Sequence, residues 1–231
     1  MKFKILVLLL CCFTSNAFAF SVDKMILIAD DYNNGVFTIT STSNKPEYVS
    51  GFINKIEISN GELRKVKLDK DNLPLWDMAL IPNRIILNPG EKRRIALKNL
   101  CQINCINTTD RMYQIVLLPV TEQGEAINSV GINLGYAPIF IIPADKSKVS
   151  YQTSLQDNKL RIVNHGNTLL FVNVDMCNES VKQNCTFSYT VLSGRDKSYP
   201  IPKALLQHGP LKLKIANHDY SYNEVRYVDA K

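Results

Sequence analysis

An alternating stretch near the middle of the chain constrains its fold more than any other feature. Large apolar residues occupy every second position, at Val130, Ile132, Leu134 and Tyr136, and glycine or asparagine stands between them. This period of two is typical of a β-strand with one apolar and one bare face. The sequence therefore predicts an extended strand whose apolar face is covered either by the core of its own domain or by another protein.

The N-terminus has the pattern of a secretory signal peptide. Lys2 and Lys4 give it a positive start, residues 5–10 are apolar, and Ala17-Phe18-Ala19 matches a small-residue cleavage site. The apolar run is much shorter than the ~20 residues that a membrane-spanning helix needs. We therefore predict export with cleavage after Ala19, and no stable insertion in the membrane.

The charge balance argues against a nucleic-acid partner. The whole chain carries 27 basic and 21 acidic residues, for a net charge of +6. Its longest basic cluster, Lys92-Arg93-Arg94, lies between a turn and an apolar strand pattern, which favours a solvated strand edge. Sequence signatures of serine hydrolases and zinc peptidases are also missing. We predict a protein that is not an enzyme and that needs no cofactor.

Four cysteines follow the leader, at Cys101, Cys105, Cys177 and Cys185. An even number in an exported protein indicates disulfides, and the short spacings favour pairs 101–105 and 177–185. Metal binding is the alternative, but neither pair has C-x-x-C spacing and the three histidines do not fall into a ligand pattern. Two disulfides and no metal are predicted.

Strand patterns separated by turns run from Phe20 to the C-terminus without a helical period. Asn60-Gly61 is a strong hairpin signal, and Pro82 and Pro89 stand at corners between short apolar runs. The pattern is interrupted after Pro143. We therefore predict an all-β protein with a signal peptide over residues 1–19 and two immunoglobulin-like β-sandwich domains in tandem, over residues 20–143 and 144–231.

Several short motifs occur in the same order as in a known family. They are Leu80-Ile81-Pro82, Asn88-Pro89-Gly90-Glu91, Arg111-x-Tyr113, the segment Ile132 to Pro143, and Asn164-x-Gly166-Asn167. In these motifs the chain resembles the periplasmic pilus-assembly chaperones of the chaperone–usher pathway. It is most similar to the non-prototype branches, which include the colonisation-factor and common-pilus chaperones.

The resemblance implies a fold and a function for the alternating stretch. Family members are two-domain, L- or boomerang-shaped proteins that bind fimbrial subunits and deliver them to an outer-membrane usher. They lend the last strand of the first domain to a subunit that lacks one, and chaperone–pilin pairs are an established example of strand addition. Val130, Ile132, Leu134 and Tyr136 are then the residues expected to enter the subunit groove.

The family also binds the C-terminal carboxylate of the subunit with basic residues. Here the expected arginine position falls near Met25, which leaves Lys24 beside it, and the expected lysine position is occupied by Pro138. Arg111 stands at the start of the strand that precedes the donor loop and is the first substitute to consider. The resemblance therefore gives Lys24 and Arg111 as candidate anchor residues.

Three other interpretations stay open from the sequence. The alternating strand could complete the core of its own domain. The chain could itself be a secreted fimbrial subunit or an adhesin with immunoglobulin-like domains. Acceptor triplets at Asn107, Asn178 and Asn184 could indicate a glycoprotein, although such triplets arise often by chance in asparagine-rich chains.

Overall fold

A computed structural model describes residues 20–101, 105–127, 134–177, 179 and 181–229 of the chain. The predicted signal peptide, Val130, Ile132 and Asn178 lie outside these residues. Strands dominate, as the sequence predicts, and the helices within these ranges are two short 3-10 turns, Lys70–Leu75 and Leu205–His208. Neither turn has the length or the apolar character to cross a membrane.

The N-terminal half forms a sandwich of two sheets. Its strands are β1 (Phe20–Val22), β2 (Ile26–Ile28), β3 (Gly35–Ser41), β4 (Glu47–Ser59), β5 (Glu62–Lys67), β6 (Met78–Ile81), β7 (Arg84–Leu87), β8 (Lys92–Asn99), β9 (Arg111–Val120) and β10 (Ile139–Ile142). One sheet has the order β1-β3-β8-β6. The other has the order β2-β10-β9-β4-β5, with β7 paired to β4.

Alternating side chains from the two sheets fill the space between them. Phe37 and Ile39 of β3, Leu117 of β9 and Phe140 of β10 have no exposed surface. They belong to one core together with residues of the remaining strands. The period of two in these strands matches a sandwich in which each sheet buries one face, so the all-β prediction is confirmed.

The first apolar segment of the chain divides between the two sheets. Strand β1 pairs with β3, whereas β2 runs parallel to β10 in the opposite sheet. Asp23 marks the crossing, because its backbone N–H donates to the carbonyl of Thr38 over 3.0 Å and its carboxylate accepts the N–H of Thr38 over 2.9 Å. One N-terminal segment therefore contributes a short strand to each sheet.

The C-terminal half is a second sandwich. Its strands are β11 (Tyr151–Gln156), β12 (Lys159–Asn164), β13 (Leu170–Asp175), β14 (Thr186–Val191), β15 (Asp196–Pro200), β16 (Leu211–Ala216) and β17 (Asn223–Val228). The two sheets have the orders β11-β12-β15 and β14-β13-β16-β17. The sequence prediction lacked β15, because four of its five residues are charged or hydroxyl-bearing and a turn signal precedes it.

Both predicted disulfides are present. Cys101 is bonded to Cys105 with 5.9 Å between the Cα atoms, and Cys177 is bonded to Cys185 with 5.0 Å. Cys185 is buried in the core of the second sandwich. Within the ranges given above, no group of histidine, cysteine, aspartate or glutamate side chains has an arrangement that would hold a metal ion.

An apolar cluster joins the two sandwiches. Ile56, Met112 and Ile141 contribute from the first, and Leu169 and Leu192 contribute from the second. The first three lie on the face of their sheet that points away from its own core. Strand β4 therefore has apolar residues on both faces. One face packs into the sandwich, and Ile56 on the other face packs against the second domain.

A buried carboxylate fixes the connection between the sandwiches. Asp110 accepts the backbone N–H of Ala144 over 2.9 Å with one oxygen and that of Leu169 over 2.7 Å with the other. Its own N–H donates to the carbonyl of Asn167 over 2.9 Å. Burial raises the pKa of this carboxyl above its usual range. One side chain thus holds the linker and the second sandwich at once.

The predicted hairpin at Asn60-Gly61 supplies a second contact between the sandwiches. Both residues have positive φ, 52° and 77°, as the tight turn requires. The carbonyl of Gly61 accepts the Arg195 guanidinium over 2.7 Å and the N–H of Asp196 over 3.2 Å. A Cβ at Gly61 would lie 2.7 Å from that of Asp196, so only glycine permits this approach.

We predict that Asp110→Asn destabilises the protein by about 1–3 kcal/mol, because an asparagine has one oxygen and leaves one of the two buried N–H groups without an acceptor. The measurement is the free energy of unfolding in urea. Asp31→Asn is the control, since Asp31 is exposed and its change should stay within about 0.5 kcal/mol. Equal stabilities of the two variants would contradict this role.

Candidate functional site

The strand that ends the first sandwich extends beyond β10 toward its N-terminus. Tyr136 exchanges two backbone hydrogen bonds with Leu117, of 2.9 and 2.8 Å, and the carbonyl of Pro138 accepts the N–H of Ile115 over 2.8 Å. These pairs keep the register in which Phe140 faces Tyr113. Residues 136–142 therefore lie against β9 as one strand, and the ladder is incomplete only where proline has no N–H to donate.

The opposite edge of this extension is open. The last bond to the β2 side joins the N–H of Ile139 to the carbonyl of Met25 over 2.9 Å. Beyond it the N-terminal strand crosses to the other sheet, and the backbone groups of Gly135 and Ala137 have no partner among the described residues. Such an edge is ready to pair with another strand. The backbone of Pro138 faces β9. Its lack of an N–H therefore removes a donor on the β9 side and none from the open edge.

The four residues predicted to bind a subunit differ in their surroundings. Val130 and Ile132 lie outside the described residues. Leu134 has 52% of its surface exposed. Tyr136 packs against the core of the first sandwich, and its ring centroid lies 5.3 Å from that of Phe20. At Tyr136 the structure therefore matches the interpretation in which the strand completes its own domain, whereas Leu134 is accessible to a partner.

Gly135 stands at a close approach of two backbones. A Cβ there would lie 2.9 Å from the carbonyl oxygen of Leu117 and 2.6 Å from a methyl group of Leu118. The backbone that approaches is that of β9, so this glycine serves the attachment of the strand to its own sheet.

The two anchor candidates are not brought together. Lys24 is exposed and directly precedes Met25, where the open edge begins. Arg111 pairs with Ile142 at the far end of β10, about 17 Å away along the strands at ~3.3 Å per residue. Its guanidinium lies 3.3 Å from the Asn99 side-chain oxygen and is 18% exposed. Among these two candidates, only Lys24 borders the open edge.

Arg111 belongs to a charged network inside the first sandwich. Its guanidinium lies 3.8 Å from a carboxylate oxygen of Asp77. The same oxygen accepts a hydrogen bond from the Lys55 ammonium over 2.8 Å. The hydroxyl of Tyr113 lies buried nearby, and burial raises the pKa of Tyr113. The network neutralises Asp77 between the sheets, so Arg111 already has an internal partner.

A polar row on the outer face of the second sheet was missed from the sequence. Strand register aligns Ile139, Gln114, Asn54 and Lys67 across four neighbouring strands. The Asn54 amide donates to the Gln114 side-chain oxygen over 3.1 Å, and the ammonium of Lys67 lies 4.8 Å from the centre of the Phe52 ring. The one hint in the sequence was Asn54, which stands among apolar residues on the outer face of β4. Its partners could be identified only from the pairing register of the strands.

We predict unequal stability effects for truncation of two neighbouring residues of this strand. Tyr136→Ala removes a ring packed on the core and should lower the free energy of unfolding by about 2–3 kcal/mol. Leu134→Ala removes an exposed side chain and should change it by less than about 0.5 kcal/mol. Urea unfolding of both variants checks this. Equal losses would contradict the division between these residues.

Comparison with known proteins identifies relatives of the chain. A family model described as the CS5 fimbrial protein N-terminal domain matches residues 22–143, more than half of the chain. An Escherichia coli protein described as an uncharacterized 25.9 kDa protein in the CS5 3' region is 29% identical over 174 residues. That match covers 72% of this chain and 74% of the relative.

Solved structures of chaperones share the fold over nearly the whole chain. The class 5 fimbriae chaperone CfaA is 15% identical, with a TM-score of 0.55 over 91% of this chain and 99% of its own. A chain of the Salmonella enterica SafA pilin–SafB chaperone complex is 12% identical, with a TM-score of 0.55 over 92% and 98%. The fold is therefore that of the chaperone–usher pilus chaperones, and by its family match the chain belongs to the CS5 fimbrial protein N-terminal domain family.

Proposed function

We propose that the chain is a periplasmic chaperone that binds fimbrial subunits by donating a strand and delivers them to an outer-membrane usher. The observation that carries the proposal is the open backbone edge at Gly135 and Ala137, next to the exposed Leu134. The family match and the chaperone fold support it. They favour it over the fimbrial-subunit or adhesin alternative, and they favour a protein without catalytic activity.

Binding follows from the chemistry of an edge strand. A subunit that lacks one strand has an unpaired edge and an apolar groove, and both are satisfied when residues around Ala137 pair with it. Main-chain hydrogen bonds then supply affinity that depends little on subunit sequence. Leu134, with Val130 and Ile132 beyond it, fills the groove, at about 1.5–3 kcal/mol for each large apolar side chain that becomes fully buried. Tyr136 anchors the donated strand to its own domain.

Rigidity of the connection between the sandwiches supports the same function. Asp110 and the apolar cluster at Ile56, Met112 and Leu169 hold the second domain in one position relative to the donated strand. A preformed site loses less entropy when it binds than a site that must first be ordered. The subunit therefore meets an edge that already has its bound geometry.

We predict that Leu134→Asp leaves the chaperone folded and strongly reduces capture of its subunit, because a carboxylate would have to enter an apolar groove. The variant is co-expressed with the fimbrial subunits encoded near its gene, and the complex is purified through a tag on the chaperone. Ile132→Asp is expected to act in the same way.

Ile86→Asp is the matched control, since Ile86 is 53% exposed, close to the 52% of Leu134, but lies on β7. It should retain capture. Thermal unfolding of each variant separates lost binding from lost folding. Full capture by both Leu134→Asp and Ile132→Asp would sink the proposal.

Lys24 is the residue that we propose for the C-terminal carboxylate of the subunit. Its ammonium is exposed where the open edge begins, and a charge-assisted hydrogen bond contributes about 1.5–3 kcal/mol. Lys24→Glu should therefore weaken capture about ten- to a hundredfold, by replacing attraction with repulsion. Lys45→Glu changes the net charge equally at an exposed loop and should have little effect. Equal capture by both variants would refute this role.

A further inference from the structure

A groove of about 440 Å³ lies on the outer face of the sheet β14-β13-β16-β17, in the second sandwich. It is outside the strand edge described above. Its lining combines aromatic rings with side-chain amides, hydroxyl groups and one ammonium group. The residues that carry the argument are Phe171, Asn173, Thr190, Lys214, Tyr220 and Asn223.

One wall of the groove is aromatic. The rings of Phe171 and Tyr220 stack with 6.1 Å between their centroids and 25° between their planes. Tyr220 is nevertheless 66% exposed. Such a pair offers a continuous apolar surface, which in binding sites receives an apolar or aromatic side chain.

The backbone that carries Tyr220 is held in an unfavourable conformation. Its φ is 61°, in the left-handed region that costs a bulky residue about 1–2 kcal/mol. The turn is nonetheless closely constrained. The Asn217 amide donates to the Ser221 hydroxyl over 2.9 Å, and its oxygen accepts the N–H of Tyr222 over 3.0 Å. The Tyr220 ring gains little burial from this strained backbone conformation. Strain that is kept without a gain in burial is typical of a binding site.

The polar groups of the groove suit a peptide. The Asn173 amide nitrogen donates to the Ser188 hydroxyl over 3.1 Å. The side chains of Thr190 and Asn223 make no hydrogen bond within the described part of the chain. Amide and hydroxyl groups pair well with the N–H and C=O groups of an extended backbone. Lys214 is held 3.5 Å from Asp175, so the groove has no strong net charge.

Proximity to the open edge indicates which peptide enters the groove. Phe171 packs against the buried apolar cluster between the sandwiches, and so do Ile26 and Ile139. Ile139 follows the unpaired stretch at Gly135 and Ala137 after Pro138. One cluster is therefore contacted both by a residue next to the open edge and by a ring of the aromatic wall, so a subunit bound at the edge is the partner closest to the groove.

We propose that the groove binds an extended segment of the same subunit that occupies the open edge, with an apolar or aromatic side chain of that segment against Phe171 and Tyr220. The inference rests on the proposed chaperone function and adds a second subunit contact, in the C-terminal domain. The groove has a distinct position, so variants can disturb it without touching the donated strand.

The test places the photo-crosslinking amino acid p-benzoylphenylalanine in place of Ser188, which lines the groove. The control position is Tyr227, an exposed residue of β17 in the same sheet that does not line the groove. Each full-length variant is co-expressed with the fimbrial subunits encoded near its gene and irradiated as the purified complex. A covalent subunit adduct at position 188 and none at 227 is expected. A complex without an adduct at 188, or with an adduct to a second copy of the chain, would overturn the inference.

A second measurement separates this inference from the proposed function. Tyr220→Ser should weaken capture of the subunit about tenfold, as truncation of an aromatic binding residue does, and Tyr227→Ser should leave it unchanged. If Leu134→Asp abolishes capture and Tyr220→Ser leaves it at the wild-type level, the proposed role of the groove is refuted and the proposed function is not. Failure of the wild-type chain to bind any subunit would refute both proposals.

Discussion

The architecture of the first domain depends on the crossing of its N-terminal strand from one sheet to the other. Asp23 fixes the crossing by bonding twice to Thr38. On one side of the crossing β2 covers the edge of β10, and on the other side no described residue pairs with the backbone of Ala137. A strand held by β9 alone keeps its extended geometry while one set of its hydrogen-bonding groups is available. The fold thus exposes an edge that proteins usually protect.

The same sheet uses both of its faces, which links the edge to the second domain. Its inner face packs into the sandwich through residues such as Phe140, and its outer face packs under the second sandwich through Ile141. Asp110 completes this arrangement, because its two oxygens accept N–H groups from the linker and from the second domain. The sheet that carries the open edge is therefore also the sheet that contacts the second domain.

Sequence patterns predicted the elements well where one local rule acts. The hairpin at Asn60-Gly61 and both disulfides follow from turn chemistry and from the short spacing of the cysteines. The patterns failed where the partner of a residue is set by pairing between strands distant in sequence. Arg111 looked like a free cation beside the donor loop, yet it pairs with Asp77, which lies 34 positions earlier and is brought close by the packing of two sheets.

The sequence by itself predicted export, determined that the chain is all-β, and placed an apolar alternation at Leu134 and Tyr136. Periodicity records which side chains share a face but not what covers that face. Only the tertiary structure decided that Tyr136 meets the ring of Phe20 while Leu134 remains exposed. It also decided that Lys24, and not Arg111, borders the open edge. The physical reason is that burial and strand pairing depend on residues distant in sequence, whose positions are set by register and by the crossing of one strand between sheets.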